Sequence, residues 1–301
     1  MPAYNEARYI AEQLEALAAQ NYARPWEIVV VNNRSTDDTA QIVEKYRDRI
    51  TNLRLVEAAE KQGRSYARNV GAKYAKANTL LFCDAHTVVA RDWVPLMAEA
   101  LAEHDVVAGG LDVDKLNQSW AWNRPLHIGA QHKFMGFLPF VAGANFGISR
   151  AAFEAVGGFG EDVAIGEDAD LSFRVQLKGY TISDASNAIV YVRYRETAWG
   201  RWKQAVRFAE AHVYLYTKYS KHGYPRRGLK EAWPLYTWLL RYVPRLFVGP
   251  SQDRQRWLKT CAACWGRIQG SVKYRVLYLS AALWVQVSLE TLSPNGMYAA
   301  V

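Results

Sequence analysis

A chain of 301 residues is long enough for two domains of ~150 residues, or for one large α/β domain with additions. With 50% hydrophobic and 22% charged residues and a mean hydropathy of −0.21, the composition is globular and excludes a disordered tail, a collagen-like repeat and a multi-span membrane protein. The formal charge of +8 is uneven: Arg193 to Arg275 holds 18 Lys and Arg against 4 Asp and Glu, so that stretch carries +14 and the remainder −6.

In chain order, apolar β-type runs alternate with amphipathic helical ones. A helix is expected over Ala7 to Gln20, with Ile10, Leu14, Leu17 and Ala18 on one face, then a buried strand over Glu27 to Val31. A helix over Asp38 to Arg49, a strand over Leu53 to Val56, a helix over Ser65 to Lys76 and a strand over Thr79 to Cys83 follow. Next come a helix over Asp92 to Glu103 and a strand over Asp105 to Ala108. This alternation predicts an α/β fold with a mostly parallel, twisted sheet covered by helices on both faces. Gly109 to Ala142 has no sustained period and reads as a functional loop region. Order returns with Gly143 to Ser149, a helix over Ala151 to Val156, a glycine-rich turn at Gly157 to Gly160, a helix over Glu167 to Lys178 and a strand near Ala188 to Val192.

Beyond Arg193 the pattern is helical and basic, with breaks at Gly223-Tyr224-Pro225, Pro244 and Gly249-Pro250. Trp199, Trp202, Trp233, Trp238, Trp257 and Trp265 are interleaved with the cations. Such a mixture suits an anionic membrane face; nucleic acid would accept it too but is not the expected partner, and a solvated helical domain with Trp in its core is the plain alternative. The longest apolar run, Val276 to Leu292, is short for a span and is interrupted by Ser280, Gln286, Ser288 and Glu290. Met1 leads straight into Pro2 without the apolar region of a secretory signal, so the expected location is cytoplasmic, peripheral on the inner face of the cell membrane. The cysteines, Cys83, Cys261 and Cys264, are too few for a disulfide framework, and a reducing compartment is the default. Without a second pair or a His at ligand spacing, Cys261 and Cys264 read as one turn of helix rather than a zinc or redox site.

In an open α/β sheet ligands sit at the carboxyl ends of the strands, so the residues there are read first. After the strand ending at Val31 stand Asn32 and Asn33, whose amides could meet a base or ribose edge, and Ser35, Thr36 and Asp37, which could equally be N-caps of the next helix. After Cys83 comes Asp84-Ala85-His86. On an extended chain the carboxylate and imidazole would share one side and could hold a divalent cation with diphosphate oxygens, Mg²⁺ or, given the imidazole, Mn²⁺. Gly166-Glu167-Asp168-Ala169-Asp170 opens a helix, whose positive end favours ionised carboxylates of the kind that general-base activation of a hydroxyl needs.

Pro2-Ala3-Tyr4-Asn5-Glu6, Val31 to Asp37, Ala67-Arg68-Asn69-Val70-Gly71, Asp84-Ala85-His86 and Gly166-Glu167-Asp168 stand in the order and near the intervals of family 2 glycosyltransferases. Residues 1–192 thus resemble that family's GT-A catalytic domain, which uses nucleotide-diphosphate sugars and inverts the anomeric centre. The resemblance implies that Pro2, Tyr4, Glu6 and Asn32 line the nucleoside pocket, that Arg68 lies near the nucleotide and that Asp84 serves the diphosphate and metal with His86. It also implies that Asp168 is the catalytic base supported by Glu167, and that Gly143 and Asn145 lie at the acceptor side of the donor sugar.

Three departures bear on that expectation. Asn32 replaces the family's usual Asp, keeping an acceptor for a base N–H but losing the charge. His86 replaces the second carboxylate of Asp-x-Asp, as in the metal motif of related polypeptide N-acetylgalactosaminyltransferases. The Gln-x-x-Arg-Trp motif of processive synthases shrinks to the Arg-Trp of Trp199-Gly200-Arg201-Trp202, which favours one sugar per acceptor.

The expected protein is a metal-dependent, inverting hexosyltransferase. It would move a sugar from a nucleotide-diphosphate donor, of the UDP type, to a lipid-linked or cell-envelope glycan, with residues 193–301 docking on an anionic membrane. A nucleotidyltransferase of similar fold and a non-catalytic basic binder of membrane or nucleic acid are the rivals. In the family the Pro-x-Tyr-Asn segment ends an interior strand, whereas here Met1 directly precedes Pro2. The native protein is therefore expected to begin upstream, this sequence starting at a wrong codon or being a fragment.

Overall fold

The computed structural model describes residues 1–117, 132–163, 165–226, 228–248 and 251–278. The chain divides into two compact units, Met1–Phe134 with Leu138–Tyr194, and Met135–Phe137 with Arg195–Val301. The division between 194 and 195 lies two residues beyond the expected boundary.

In the first unit a three-stranded parallel sheet runs β1 (Pro2–Ala3), β2 (Ile28–Asn32), β3 (Leu53–Glu57). β2 is central and its Val30 and Val31 are both wholly buried, which is why it reads as an unbroken β-branched run. The first strand is represented by Pro2 and Ala3, which pair with Val31 and Asn32. Helices α1 (Ile10–Ala18), α2 (Thr39–Arg47) and α3 (Arg64–Tyr74) alternate with these strands. In α1, Ile10, Leu14 and Leu17 are buried at one-turn spacing.

The second sheet is mixed. Its members are β4 (Thr79–Cys83), β5 (Val88–Val89), β6 (Val106–Asp112), β7 (Asn145–Ser149) and β8 (Ile182–Tyr191), in the order β4-β7-β6-β8-β5. β6 and β8 are parallel, while β7 runs antiparallel to both β4 and β6, and β5 antiparallel to β8. The α/β class holds, and the expected parallel pairing is carried by the first sheet and by the β6–β8 pair. Helices α4 (Trp93–Glu103), α5 (Arg150–Ala155) and α6 (Glu167–Leu177) complete the unit. One core gathers Ile10, Leu14, Val30, Met97 and Val107, and the other Phe82, Phe146, Ile148, Phe153 and Leu171. In the second core Phe82 stacks on Phe146 at 4.7 Å, each such side chain contributing about 1.5–3 kcal/mol by burial. The region read as irregular begins as β6, which runs on to Asp112 through a bulge at Gly109/Gly110; residues 118–131 lie outside the described residues.

The second unit contains α7 (Ala198–Tyr219), α8 (Leu229–Arg241), α9 (Arg245–Val248) and α10 (Ser251–Lys273). α7 opens with Thr197 accepting from the Gly200 N–H at 3.0 Å, and α7 and α10 pack closely because α10 turns glycines toward α7. A Cβ on Gly266 would fall 2.2 Å from the Val206 carbonyl. Cys261 and Cys264 lie one turn apart within α10, and burial pushes both thiols upward. Among the described residues no helix is long and apolar enough to cross a membrane. Most of the run Val276 to Leu292 lies outside them.

Candidate active site

The carboxyl ends of β1 and β2 are stitched together. The Asn5 N–H donates to Ser35 Oγ at 3.1 Å, Asn5 Oδ1 accepts from the Thr36 N–H at 2.8 Å, and the Glu6 N–H donates to Thr39 Oγ1 at 2.8 Å. Asp37 accepts from the N–H groups of Ala7 and Thr39, each at 3.1 Å. Ser35, Thr36 and Asp37 thus hold the loop of residues 5–7 as much as they begin α2. Pro2 is half-buried in β1 and Tyr4 is exposed beyond it.

Asn32 does not present its amide outward. It is 6% exposed, its nitrogen donates to both Glu57 oxygens at 3.0 and 2.8 Å, and its oxygen accepts from the Ser35 N–H at 3.2 Å. The acceptor expected for a base N–H is therefore used inside the protein. Asn33 is internal as well, donating to the carbonyls of Ala58 and Lys61 and accepting from the Gly63 N–H.

The extended backbone expected from Asp84 to His86 is not observed. β4 stops at Cys83, and the Thr87 hydroxyl donates to the Asp84 carbonyl at 2.8 Å, folding residues 84–87 into a turn that buries Ala85. Asp84 accepts from Arg68, whereas His86 Nδ1 meets Glu6 Oε1 at 3.0 Å. Burial alone would push the Asp84 carboxyl upward, but the charges of Arg68, His86 and Arg64 outweigh it and hold the group below the ordinary carboxylate range.

Arg68, on α3, is the hub. Its side chain is wholly buried; Nη1 donates to Glu167 Oε1 at 2.8 Å, and Nη2 donates to Asp84 Oδ1 at 2.9 Å and to the Gly143 carbonyl at 2.8 Å. Arg64 reaches the same Glu167 oxygen at 3.2 Å. Arg68 thus ties the carboxylate at the end of β4 to the acidic start of α6.

α6 begins after Gly166, whose φ of 85° is the left-handed conformation that glycine adopts readily. Asp168 Oδ2 accepts from the Gly143 N–H at 2.9 Å, and Oδ1 from the Ala169 N–H at 2.8 Å. The helix terminus does not keep this carboxyl in its ordinary range. Burial and the neighbouring Glu167 charge raise it, outweighing the two N–H groups and Arg68. The result is a stronger base than the sequence implied.

Gly143 takes the place of a connector, its N–H on Asp168 and its carbonyl on Arg68. Asn145 has no ligand-facing role: it is wholly buried, accepts from Trp93 Nε1 at 2.7 Å and donates to the carbonyls of Gly110 at 2.7 Å and Ala188 at 2.8 Å. Those carbonyls flank the register shift between β6 and β8, where β8 carries the extra residues, and the amide fills the gap in the ladder. Glu57 and Arg64 are site residues that the sequence reading missed. Glu57 could have been found, since it directly follows the predicted strand Leu53 to Val56, as Asp84 follows Thr79 to Cys83.

Among the described residues no three His, Cys, Asp or Glu side chains converge on a metal position. The donors fit a cation shared between protein and diphosphate: an ionised oxygen on Asp84, and an imidazole steadied through Nδ1 by a carboxylate, as ligating histidines commonly are.

The model of "Glycosyl transferase family 2" matches residues 1–157, just over half the chain, and that of "Glycosyl transferase family group 2" matches residues 80–289. The chain belongs to glycosyltransferase family 2. It is 28% identical over 218 residues to poly-beta-1,6-N-acetyl-D-glucosamine synthase of Staphylococcus aureus strain COL, an alignment covering 69% of this chain and 52% of that one. To the probable glycosyltransferase YdaM of Bacillus subtilis it is 26% identical over 267 residues, 80% of this chain and 61% of the other. The chain thus spans about half the length of the synthases it matches. Among solved structures, the mannosyltransferase PcManGT of Pyrobaculum calidifontis, in complex with GDP-Man and Mn²⁺, superposes with a TM-score of 0.59 at 21% identity, over 97% of this chain and 79% of that one. TarS of S. aureus, residues 1–349 in complex with UDP-GlcNAc, gives 0.53 at 20% identity, over 91% and 90%. The family 2 chain therefore has the GT-A fold.

Proposed function

We propose that this family 2 glycosyltransferase catalyses inverting transfer of one sugar from a nucleotide-diphosphate donor, of the UDP type, to a hydroxyl of a lipid-linked or cell-envelope glycan. The observation that carries the reading is the continuous path Asp84–Arg68–Gly143–Asp168, which links an ionised strand-end carboxylate to a base of raised pKa. Asp168 removes the proton of the acceptor hydroxyl as its oxygen bonds to the anomeric carbon. The bond from that carbon to the diphosphate breaks, and nucleoside diphosphate leaves with the electron pair. Glu167 acts through Arg68 and through its charge on Asp168. A divalent cation, Mn²⁺ or Mg²⁺, held by Asp84 and His86 would neutralise the diphosphate.

The relatives, a glucosamine polymer synthase and TarS in complex with UDP-GlcNAc, support an envelope glycan and a uridine donor. Transfer of a single sugar is supported by the reduced Arg-Trp motif, whose Arg201 guanidinium closes onto the carbonyls of Arg195 and Glu196. Peripheral attachment to the inner membrane face is supported by the +14 charge of residues 193–275 and by Trp233, Leu240 and Phe247, which are 67%, 74% and 82% exposed.

Mass spectrometry of products from a panel of nucleotide sugars with a membrane extract tests the reading. Sugar-extended product and free nucleoside diphosphate are expected; release of pyrophosphate would indicate nucleotidyl transfer instead. Asp168→Asn should lose about 10²–10⁴-fold in transfer while retaining donor binding, and turnover within a few-fold of the parent would remove Asp168 from the role.

A further inference from the structure

β1, β2 and β3 are parallel and in register, so Ala3, Asn32 and Glu57 stand side by side at the carboxyl end of that sheet. This is the end at which doubly wound sheets receive ligands. Glu57 is exposed there, with both oxygens on the Asn32 amide nitrogen. No cation pairs with Glu57 among the described residues, although the chain pairs Glu15, Glu27, Glu161 and Glu167 with Arg or Lys. A neutral amide thus orients an exposed carboxylate at that end of the sheet.

An ionised carboxylate is a pure acceptor. Held by one amide, Glu57 retains lone pairs directed away from Asn32, so its complement is an N–H donor. The Watson–Crick edge of uracil offers the N3–H, and that of guanine the N1–H and N2–H. Cytosine and adenine present a bare ring nitrogen at the matching position; their exocyclic N–H₂ can still reach a carboxylate, but only with two acceptors opposed at the ring.

We propose that Glu57, positioned by Asn32, is the residue that selects the nucleobase, taking the ring N–H of uracil or guanine and rejecting cytosine and adenine. The proposal rests on the nucleotide-sugar reading given above and adds its base-reading group. The acceptor that Asn32 lost by turning inward is supplied by the next strand. Glu57→Gln replaces a pure acceptor with an amide that can also turn its N–H₂ toward a bare ring nitrogen, so the substitution should weaken the preferred base and relax discrimination.

Isothermal titration calorimetry of the full chain with UDP, GDP, CDP and ADP tests this. The parent should bind UDP or GDP at least about tenfold more tightly than CDP and ADP, and the two arms identify which of uracil and guanine is read. Glu57→Gln should lose about ten- to hundredfold for the preferred nucleotide while narrowing the gap to CDP. Asn32→Ala, which keeps the carboxylate but frees it, should lose only a few-fold. An unchanged melting temperature of Glu57→Gln shows that these effects are local. Binding of the preferred nucleotide within twofold of the parent in Glu57→Gln, or parent binding of CDP or ADP as tight as that of UDP and GDP, would overturn the proposal while leaving the transferase reading in place. A parent that binds none of the four would overturn both.

Discussion

Replacing Arg68 with methionine keeps the length of the side chain and removes its charge. The guanidinium is wholly buried between Asp84 and Glu167, at 2.9 and 2.8 Å, so the variant leaves two buried carboxylates without their shared partner. Breaking a buried ion pair from one side costs about 3–5 kcal/mol. For a unit of this size each kcal/mol lowers the melting temperature by about 2–4 °C, so a fall of roughly 6–20 °C is expected by scanning calorimetry near neutral pH. The sign with pH follows from Asp84. In the parent its pKa is held below the unfolded value, so its pairing contributes stability above the unfolded pKa and loses it as pH falls through the folded one. In Arg68→Met burial acts with less opposition and the pKa rises, so the penalty is felt above the new value and relieved as protons bind. The parent and variant should therefore differ more at about pH 7.5 than at about pH 5. A melting difference of less than about 2 °C, or one equal at both pH values, would refute the hub role. Arg68→Lys should be intermediate, because one ammonium lacks the planar fork that reaches three acceptors.

The raised pKa of Asp168 means that transfer should fail on the acid side at a pH above the ordinary carboxylate range, since the base must be deprotonated. Glu167→Gln removes one cause of that elevation and should move the acid limb of the pH–rate profile to lower pH; an unmoved limb would show that Glu167 does not act on the base. Asn145→Ala strands Trp93 Nε1 and the carbonyls of Gly110 and Ala188, at about 1–3 kcal/mol each. Urea unfolding should show a total loss above about 3 kcal/mol, and a loss below about 1 kcal/mol would show that water replaces the amide. The full chain should cosediment with anionic vesicles at low salt and be released as salt rises, with Trp233→Ala and Phe247→Ala weakening the attachment. Equal binding to neutral vesicles would remove the electrostatic part.

Local pattern was enough for β2, whose β-branched run is buried on both faces, and for the start of α6 at Glu167. It was insufficient for β8, which begins at Ile182, six residues before the expected start near Ala188. Its first four residues are half-buried and carry no apolar run, and only pairing with distant β6 makes them a strand. At the site, residue types were legible but directions were not. Strand alternation treated residues 84–86 as extended, whereas the Thr87 hydroxyl closes them into a turn. Asn145 looked like a ligand contact because an amide's internal duty at a bulge leaves no mark on neighbouring sequence. The elevation of Asp168 depends on burial by elements remote in the chain, which a helix-terminus argument does not contain.

Gly143 carries Asp168 on its N–H and Arg68 on its carbonyl, and a Cβ there would stand 2.8 Å from both terminal nitrogens of Arg68. Side chains hop between rotamers, but a peptide unit hemmed in on both sides does not. The gap between carboxyl and guanidinium is therefore gauged by the main chain, and thermal motion carries the two ends together instead of opening the distance between them. A methyl group at position 143 would upset that gauge at both ends at once, so a change of one carbon in a loop should disturb proton removal and diphosphate-side charge in the same step.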